Sequence, residues 1–531
     1  MEYNNSTEFL LGNALLEIYH SAVYNVPLRQ VVAAILVLVL CASWYRKPST
    51  GLEVPFAGFR SSWEPRFFSQ FRYMFSAASM IDQGYAECKD SMFQISRHDG
   101  DVLVLSRNYL EDLHNRPPAE LSAIHGLIEN FGGRYSGITL LAKHDVGIRA
   151  LQAKITPNLA KLCDDMTDEL EYSLRTDLPP CHEWTSVPIQ PFFLRAVERI
   201  VHRIFVGSTL CRDPEWLKAA FGHADNVTIT QIAMRSVPTV LRPLLNLCLP
   251  FSWKYKACIR AGKKILIPEV ERRRELERSG VDYLKSNDLL QAMLEMTSPE
   301  DEDGQPDTLA NLMMTMTAIA GHSTAASGSH ALFDLVSRPE YIDLLRQEAE
   351  TTLTACEMRF TKQTLADLRK MDSFLRESQR HNPLSLLGFL RVVKAPAGIT
   401  LQDGTHVPYG AQLCIPPASI SRDPEILDDA ESFDGLRYYE QRRQDPSQDK
   451  KHQYATADKV HLHFGYGKWA CPGRFMASDM LKMILATLLL RYDIKYPEGT
   501  GRPTNGYIHE FPFLNINTPL LMKRRDEMPF V

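Results

Sequence analysis

Along this chain apolar residues first form one uncharged run, then recur at three- and four-residue spacing, then thin into short stretches between turn residues. The run covers residues 31–45, VVAAILVLVLCASWY, and ends at Arg46-Lys47-Pro48. It falls short of the roughly 20 apolar residues that cross a bilayer. Taking in Val26, Pro27 and Leu28, with Arg29 reaching out to the interface, extends it to residues 26–46. Its start is too far from Met1 for an ordinary cleaved signal peptide. It therefore reads as an uncleaved N-terminal transmembrane helix, the alternative being a helix of the core. Arg46, Lys47, Arg60 and Arg66 follow it and only Arg29 precedes it. That bias predicts a cytoplasmic body and a lumenal segment over residues 1–25. Asn4 and Asn5 in that segment open sequons that permit glycosylation. Pro48, Gly51, Pro55 and Gly58 predict a stiff, turn-rich linker over residues 47–63.

From about residue 64 to 380 the helical period prevails. The segment starting at Arg149, RALQAKITPNLAKLCDDMTDELEYSL, carries it clearly. Residues 297–307 form an acidic loop, and Thr308 is placed to cap the long helix LANLMMTMTAIAGHSTAASGSHALFDLV. Pro339 opens another helix at its first turn. Beyond Pro383 the period changes. Arg391-Val-Val, Gly398-Ile-Thr-Leu and His406-Val read as short strands, with Asp403-Gly404 as a hairpin turn. Residues 416–459 are charged and irregular, and an apolar helix resumes from Arg474 to about Leu490. No internal repeat is visible. The expectation is a mainly α fold with a minor β region, residues 64–531 forming a single large domain.

Composition narrows the possibilities. A chain of 531 residues, 44% apolar and 23% charged, can bury a large core and still enclose an apolar pocket. Lys+Arg number 59 against 64 Asp+Glu, a net charge of −5, so the basic field expected of a nucleic-acid binder is missing. The ten cysteines are dispersed, with no C-x-x-C pair, which argues against a disulfide framework and against a zinc site. Most read as reduced, buried, small apolar side chains.

One cysteine stands apart. Phe464-Gly-Tyr-Gly-Lys-Trp-Ala-Cys471-Pro-Gly473 places Gly465 and Gly467 before the cysteine and Gly473 after it. Glycines there allow a tight turn and close approach of a flat group to the backbone. The apolar helix that follows would present its positive end to Cys471, which favours a thiolate, and a thiolate held by backbone N–H groups suits iron. A second pattern, Glu377-Ser-Gln-Arg380, puts a carboxylate and a guanidinium on one helix face. Alone it is a common surface pair of little worth. Its position about 90 residues before Cys471, with Phe433-Asp-Gly-Leu-Arg437-Tyr438 between, gives it weight.

Taken in order, these motifs resemble the cytochrome P-450 family: F-G-x-G-x-x-x-C-x-G, E-x-x-R, and an F-x-P-x-R-F element with Gly435 where proline is usual. The resemblance spans nearly the whole chain and looks like the fungal, endoplasmic-reticulum type of specialised metabolism. It implies b-type haem (iron protoporphyrin IX) with Cys471 as axial ligand to the metal, Phe464 packed near it, and Glu377, Arg380 and Arg437 as a buried network locking the cysteine loop. Two departures stand out. Where the family has Arg or His to pair a haem propionate, this chain has Trp469, whose indole donates one hydrogen bond without charge. The usual W-x-x-x-R reduces to Arg149, with His144 a lesser candidate. Propionate contacts then fall to Lys468, Arg391 or Arg149.

The long helix carries Ala320-Gly-His322-Ser323-Thr324. Its small and hydroxyl residues disfavour helix and point to a kinked site beside a cofactor. The family's A/G-G-x-D/E-T-T fits in two registers. One makes Thr324 the catalytic hydroxyl with Ser323 in place of the acid. The other sets His322 at the acid and Ser323 at the hydroxyl, and is preferred. His322 then relays protons or simply bonds a carbonyl. The reaction implied is NADPH- and O₂-dependent monooxygenation of a lipophilic metabolite, terpenoid or meroterpenoid. Electrons would come from a membrane NADPH–cytochrome P-450 reductase, since no G-x-G-x-x-G or flavin domain is present. The rivals are a reductase-independent haem-thiolate isomerase or dehydratase and a non-catalytic haem sensor.

Overall fold

The computed structural model describes residues 51–280 and 284–526, and the expected transmembrane segment lies outside them. Among the described residues no helix is long and apolar enough to cross a membrane.

The principal elements, in chain order, are α1 (Arg66–Glu87), β1 (Met92–Arg97), β2 (Gly100–Leu105), β3 (Leu121–Ser122), α2 (Val146–Ala150), α3 (Leu159–Thr176), β4 (Thr185–Pro188), α4 (Ile189–Val206), α5 (Pro214–Arg235) and α6 (Pro250–Arg278). Next come α7 (Pro306–Val336), α8 (Glu340–Thr354), α9 (Arg369–His381), β5 (Gly388–Val393), β6 (Gln412–Ile415), α10 (Arg437–Gln444), α11 (Arg474–Arg491), β7 (Tyr492–Lys495) and β8 (Pro519–Arg524). The mainly α expectation with a minor β region holds.

The helices pack around α7, which touches α4, α5, α6, α9 and α11. A helix that is apolar on every side must be enclosed, and α11 is: Met480, Leu481, Met483, Ile484, Leu485 and Leu488 are all fully buried. The strands form a five-stranded sheet in the order β1-β2-β6-β5-β3, in which β2 and β6 run parallel and the other pairs antiparallel. A smaller sheet runs β4-β8-β7. The Ile399–Thr400 and His406–Val407 hairpin forms as expected, with Gly404 at φ +87°.

Several local expectations are corrected. The described part of the expected linker lies against the body: the Ala57 N–H donates to the Gln94 carbonyl at 2.9 Å and Ala57 is buried. The amphipathic segment starting at Arg149 is not one helix. Pro157 lacks the N–H that would continue the ladder, and the chain passes from α2 through a wide turn at Leu151–Ile155 and a tight one at Thr156–Asn158 into α3. Thr308 is no cap: α7 starts at Pro306, which needs no N–H partner at a first turn, with Asp307 beside the positive helix end. The Ala320–Thr324 stretch does not interrupt the helix, since α7 runs helical throughout. Its glycines serve packing instead. A Cβ on Gly328 would stand 2.4 Å from the Phe193 ring, and one on Gly321 would stand 2.9 Å from Glu198, both on α4. Among the described residues every cysteine is free.

Candidate active site

The Cys471 loop folds back on itself before α11 begins. The Cys471 N–H donates to the Phe464 carbonyl at 2.7 Å, Gly465 to Leu462 at 2.8 Å and Ala470 to Gly467 at 3.1 Å. Gly465 and Gly467 take φ of +81° and +64°, a left-handed backbone that glycine enters without steric cost. Gly473 differs. Its φ is −87°, and a Cβ there would meet no protein atom within 4 Å, so the protein itself makes no demand for glycine at that point.

Cys471 lies deep in the protein yet keeps an accessible face. Burial pushes its thiol above the ordinary value of 9.0; the backbone N–H groups of Gly473 and Arg474 and the Arg474 charge act the other way without prevailing. The helix start therefore favours a thiolate as expected, but burial outweighs it. A metal bound at the sulfur replaces the proton, because only the thiolate ligates.

Opposite the loop stands one face of α7. Ile319 is 42% exposed and Ser323 is exposed, four residues on and so on the same face. One turn further, Ser327 lies beside the Tyr454 hydroxyl, and the Tyr454 ring meets Phe464 edge-on at 5.3 Å. This face thus looks toward the cysteine loop. Thr324 is buried, and its hydroxyl donates back to the Ala320 carbonyl at 3.2 Å. Of the two registers, the geometry brings Ser323 to the Cys471 side and turns Thr324 away. His322 sits between, with Nε2 3.2 Å from Asp225 Oδ1 on α5.

Arg391 on β5 is buried, with its guanidinium 3.8 Å over the Phe389 ring. Nη1 donates to the Leu390 carbonyl at 2.8 Å, while Nη2 is enclosed without a partner. Burial alone lowers its pKa to about 10, and no carboxylate compensates. A buried cation left in this state costs several kcal/mol, roughly, unless an anion joins it. The arrangement suits a carboxylate-bearing ligand such as a haem propionate. Arg149 does not have this character: it is 47% exposed and already paired with Asp145 at 2.8 Å and Asp303 at 3.7 Å. His144 is likewise committed to Asp303 at 2.6 Å. The expected propionate contact from Arg149 or His144 is thus not supported. Lys468 is exposed over the Trp469 ring, which is half-buried.

Glu377 and Arg380 meet through two hydrogen bonds, 2.8 and 2.7 Å, with neither side chain exposed. Burial raises the Glu377 pKa, but Arg380, His381 and the Asp434 N–H outweigh it and hold the carboxyl at about 2. Arg380 also donates to the carbonyls of Ser421 and Ser432 at 3.0 and 2.9 Å. Arg437 joins more loosely, 3.5 Å from Glu377, and spends its stronger bonds on the carbonyls of Asp428 and Asp429. Gly435 is required where it stands. Its N–H donates to the Tyr341 hydroxyl at 3.1 Å, and a Cβ would fall 2.7 Å from the Phe374 ring.

Two residues unnoticed in the sequence complete the link from α9 to the cysteine loop. Arg376 donates to the carbonyls of Gln453 and Thr456 at 2.6 and 2.7 Å and to Asp458 at 2.5 Å. Gln379 Oε1 lies 2.9 Å from His461 Nε2. Their only sequence signal was membership of the Glu377 helix.

Comparison with known proteins gives the family. The cytochrome P-450 family model matches residues 147–520. The cytochrome P-450 monooxygenase ltmK of Epichloe festucae is 63% identical over 529 residues, 99% of both chains. The monooxygenase terK of Tolypocladium album is 57% identical over 498 residues, 94% of this chain and 95% of its own. The monooxygenase paxP of Penicillium paxilli is 34% identical over 484 residues, 90% and 91%. With the cysteine loop, the Glu377–Arg380 pair and the family match in agreement, the chain belongs to the cytochrome P-450 family and is one of its monooxygenases.

Proposed function

We propose that this protein inserts oxygen into a lipophilic secondary metabolite, of terpenoid or meroterpenoid type, using electrons passed from NADPH by a membrane reductase. Cys471 is the iron ligand of a b-type haem, as cysteine thiolate is for this family generally. Arg391 anchors a propionate. The haem, when bound, supplies the reductive activation of dioxygen; the chain supplies position, exclusion of water and protons. Ser323, on the α7 face turned toward the cysteine loop, holds a hydrogen bond at the oxygen side, and His322 supplies its protons. Ile319 and the buried methionines Met313, Met314 and Met316 of α7 favour an apolar guest. Residues 26–46 hold the enzyme to the endoplasmic reticulum with its body in the cytoplasm, and the reductase docks on the Cys471 side.

The reading is supported by two separate features, the accessible face of Cys471 and the uncompensated guanidinium of Arg391. Purified, haem-loaded protein, reduced and given carbon monoxide, should develop the red-shifted Soret band of thiolate ligation, and Cys471→Ala should lose it. Product should form from pathway intermediates only with NADPH and reductase. Turnover without reductase would instead select an isomerase or dehydratase.

A further inference from the structure

Behind the Ser323 turn lies a cluster of ionisable side chains drawn from three helices. Glu198 on α4 is buried. Its side chain reaches α7 at Gly321, where a Cβ would stand 2.9 Å from Glu198 Cγ and 3.3 Å from Oε1, so the glycine makes room for this carboxyl. His322 follows at the next position. Its Nε2 faces the Asp225 carboxylate of α5 at 3.2 Å, while Nδ1 is enclosed with no partner. Asp225 is 60% exposed. Successive helix residues turn by about 100°, which puts His322 between the Gly321 face, against Glu198, and the Ser323 face, toward the cysteine loop.

We propose that Glu198, His322 and Asp225 form a proton-holding chain that loads the Ser323 turn from water at Asp225. This rests on reading Ser323 as the hydroxyl at the oxygen side. Asp225 holds the imidazole through Nε2–H and exchanges protons with solvent. When the ring is doubly protonated, Nδ1–H carries a mobile proton. Its transfer to the oxygen side at Ser323 leaves a neutral imidazole, and the neighbouring Glu198 carboxylate stabilises the charged ring beforehand. A proton taken from water at Asp225 then restores the doubly protonated ring, so each cycle moves one proton inward to the Ser323 side and consumes no other reactant. Glu198 acts through His322 and is a positioning residue. The acid the family usually carries on this helix is here divided between two neighbouring helices, with a base between them.

The charges around the cluster are consistent with a group poised at neutral pH. Burial raises the Glu198 carboxyl, Asp225 adds to the rise, and His322 and Arg195 oppose it, leaving it at about 7. Burial lowers His322, but its bond to Asp225 and the charges of Glu198 and Asp225 prevail, so its pKa stands above the ordinary 6.5. On α6 the Cys258 thiol is raised by burial and further by the Asp225 charge.

The test uses the full, haem-loaded chain in its resting state and in turnover. Infrared difference spectra between acid and neutral pH should show a carboxylic acid band that titrates near neutrality and disappears in Glu198→Gln. In turnover, Glu198→Gln should lower product formed per NADPH by about 10-fold and flatten its dependence on pH around neutrality. Asp225→Asn, at an exposed position, should move that pH profile down by about one unit. An unchanged pH profile in both variants overturns the proposal, as does a missing band in wild type. If Glu198→Gln does not fold, Asp225→Asn decides by the same profile. Wild-type protein that lacks the carbon monoxide band or reductase-dependent product fails the functional reading instead, which separates the two.

Discussion

Glu377 and Arg380 lie one helical turn apart and face each other through two parallel hydrogen bonds, each fully shielded from water. The pair is held from outside as well: Asp434 donates its N–H to Glu377 at 2.9 Å, and Arg380 reaches the carbonyl of Ser421. The chain that leads into the cysteine loop is thereby fixed to α9.

Removing one partner strands the other. Glu377→Ala should cost about 3–5 kcal/mol and release haem, read as thermal midpoint and haem content together. Acid acts on the same contact. The folded pKa of Glu377 is depressed from 4.5 to about 2. Its contribution is therefore complete above pH 4.5 and is lost as pH falls toward 2, on the order of 3 kcal/mol in total. Wild-type protein should lose stability steeply across that window. Glu377→Gln, already weakened, should show a shallower slope there.

Arg391 and Arg149 are both cations that the sequence offers to a propionate, and they should differ sharply. Arg391→Ala should lower haem occupancy by several-fold, because its guanidinium has no other counter-charge. Arg149→Ala should leave occupancy near wild type, since it breaks only half-exposed pairs with Asp145 and Asp303. Pyridine haemochrome assay of both variants checks this; equal losses would refute the distinction.

The two hydroxyls on α7 separate in the same way. Ser323→Ala should uncouple NADPH consumption from product by about 10-fold or more, because the hydroxyl that faces the cysteine loop is gone. Thr324→Ala removes a buried hydroxyl bonded to its own helix and should change coupling little. The reverse ranking would restore the other register.

Gly435 offers a test of a departure from the family pattern. Gly435→Pro, which restores the usual residue, should destabilise by about 2–3 kcal/mol. The proline removes the N–H that bonds Tyr341 and drives atoms into the Phe374 ring. A thermal midpoint equal to wild type would show that the loop moves aside at no cost.

The motifs that could be read from the sequence share one property: each is local. The cysteine loop depends on glycines at fixed offsets from Cys471, and Gly465 and Gly467 are left-handed as that spacing requires. The Glu377–Arg380 bond follows from the pitch of a single helix. Helix type was legible from period, and α11 is enclosed because it is apolar on every side. Pro157 and Pro306 moved helix boundaries, since a missing N–H acts at one residue and leaves the period around it intact.

Tertiary packing decided the rest. Whether Ser323 or Thr324 faces the cysteine loop depends on how α7 is rotated about its axis, and the neighbours α4, α5 and α11 set that rotation. Whether Arg149 or Arg391 stays free for an anion depends on where Asp303 comes to rest, about 150 residues from the one and nearly 90 from the other. Glu198 and Asp225 carry no motif at all and gain meaning only where three helices converge on Gly321 and His322. Sequence alone thus determined the ligand loop, the locking pair and the helical class, because near-neighbour geometry and period dictate them. The facing of Ser323 and the uncompensated state of Arg391 were decided only by the folded chain, because they arise between groups that no short-range rule brings together.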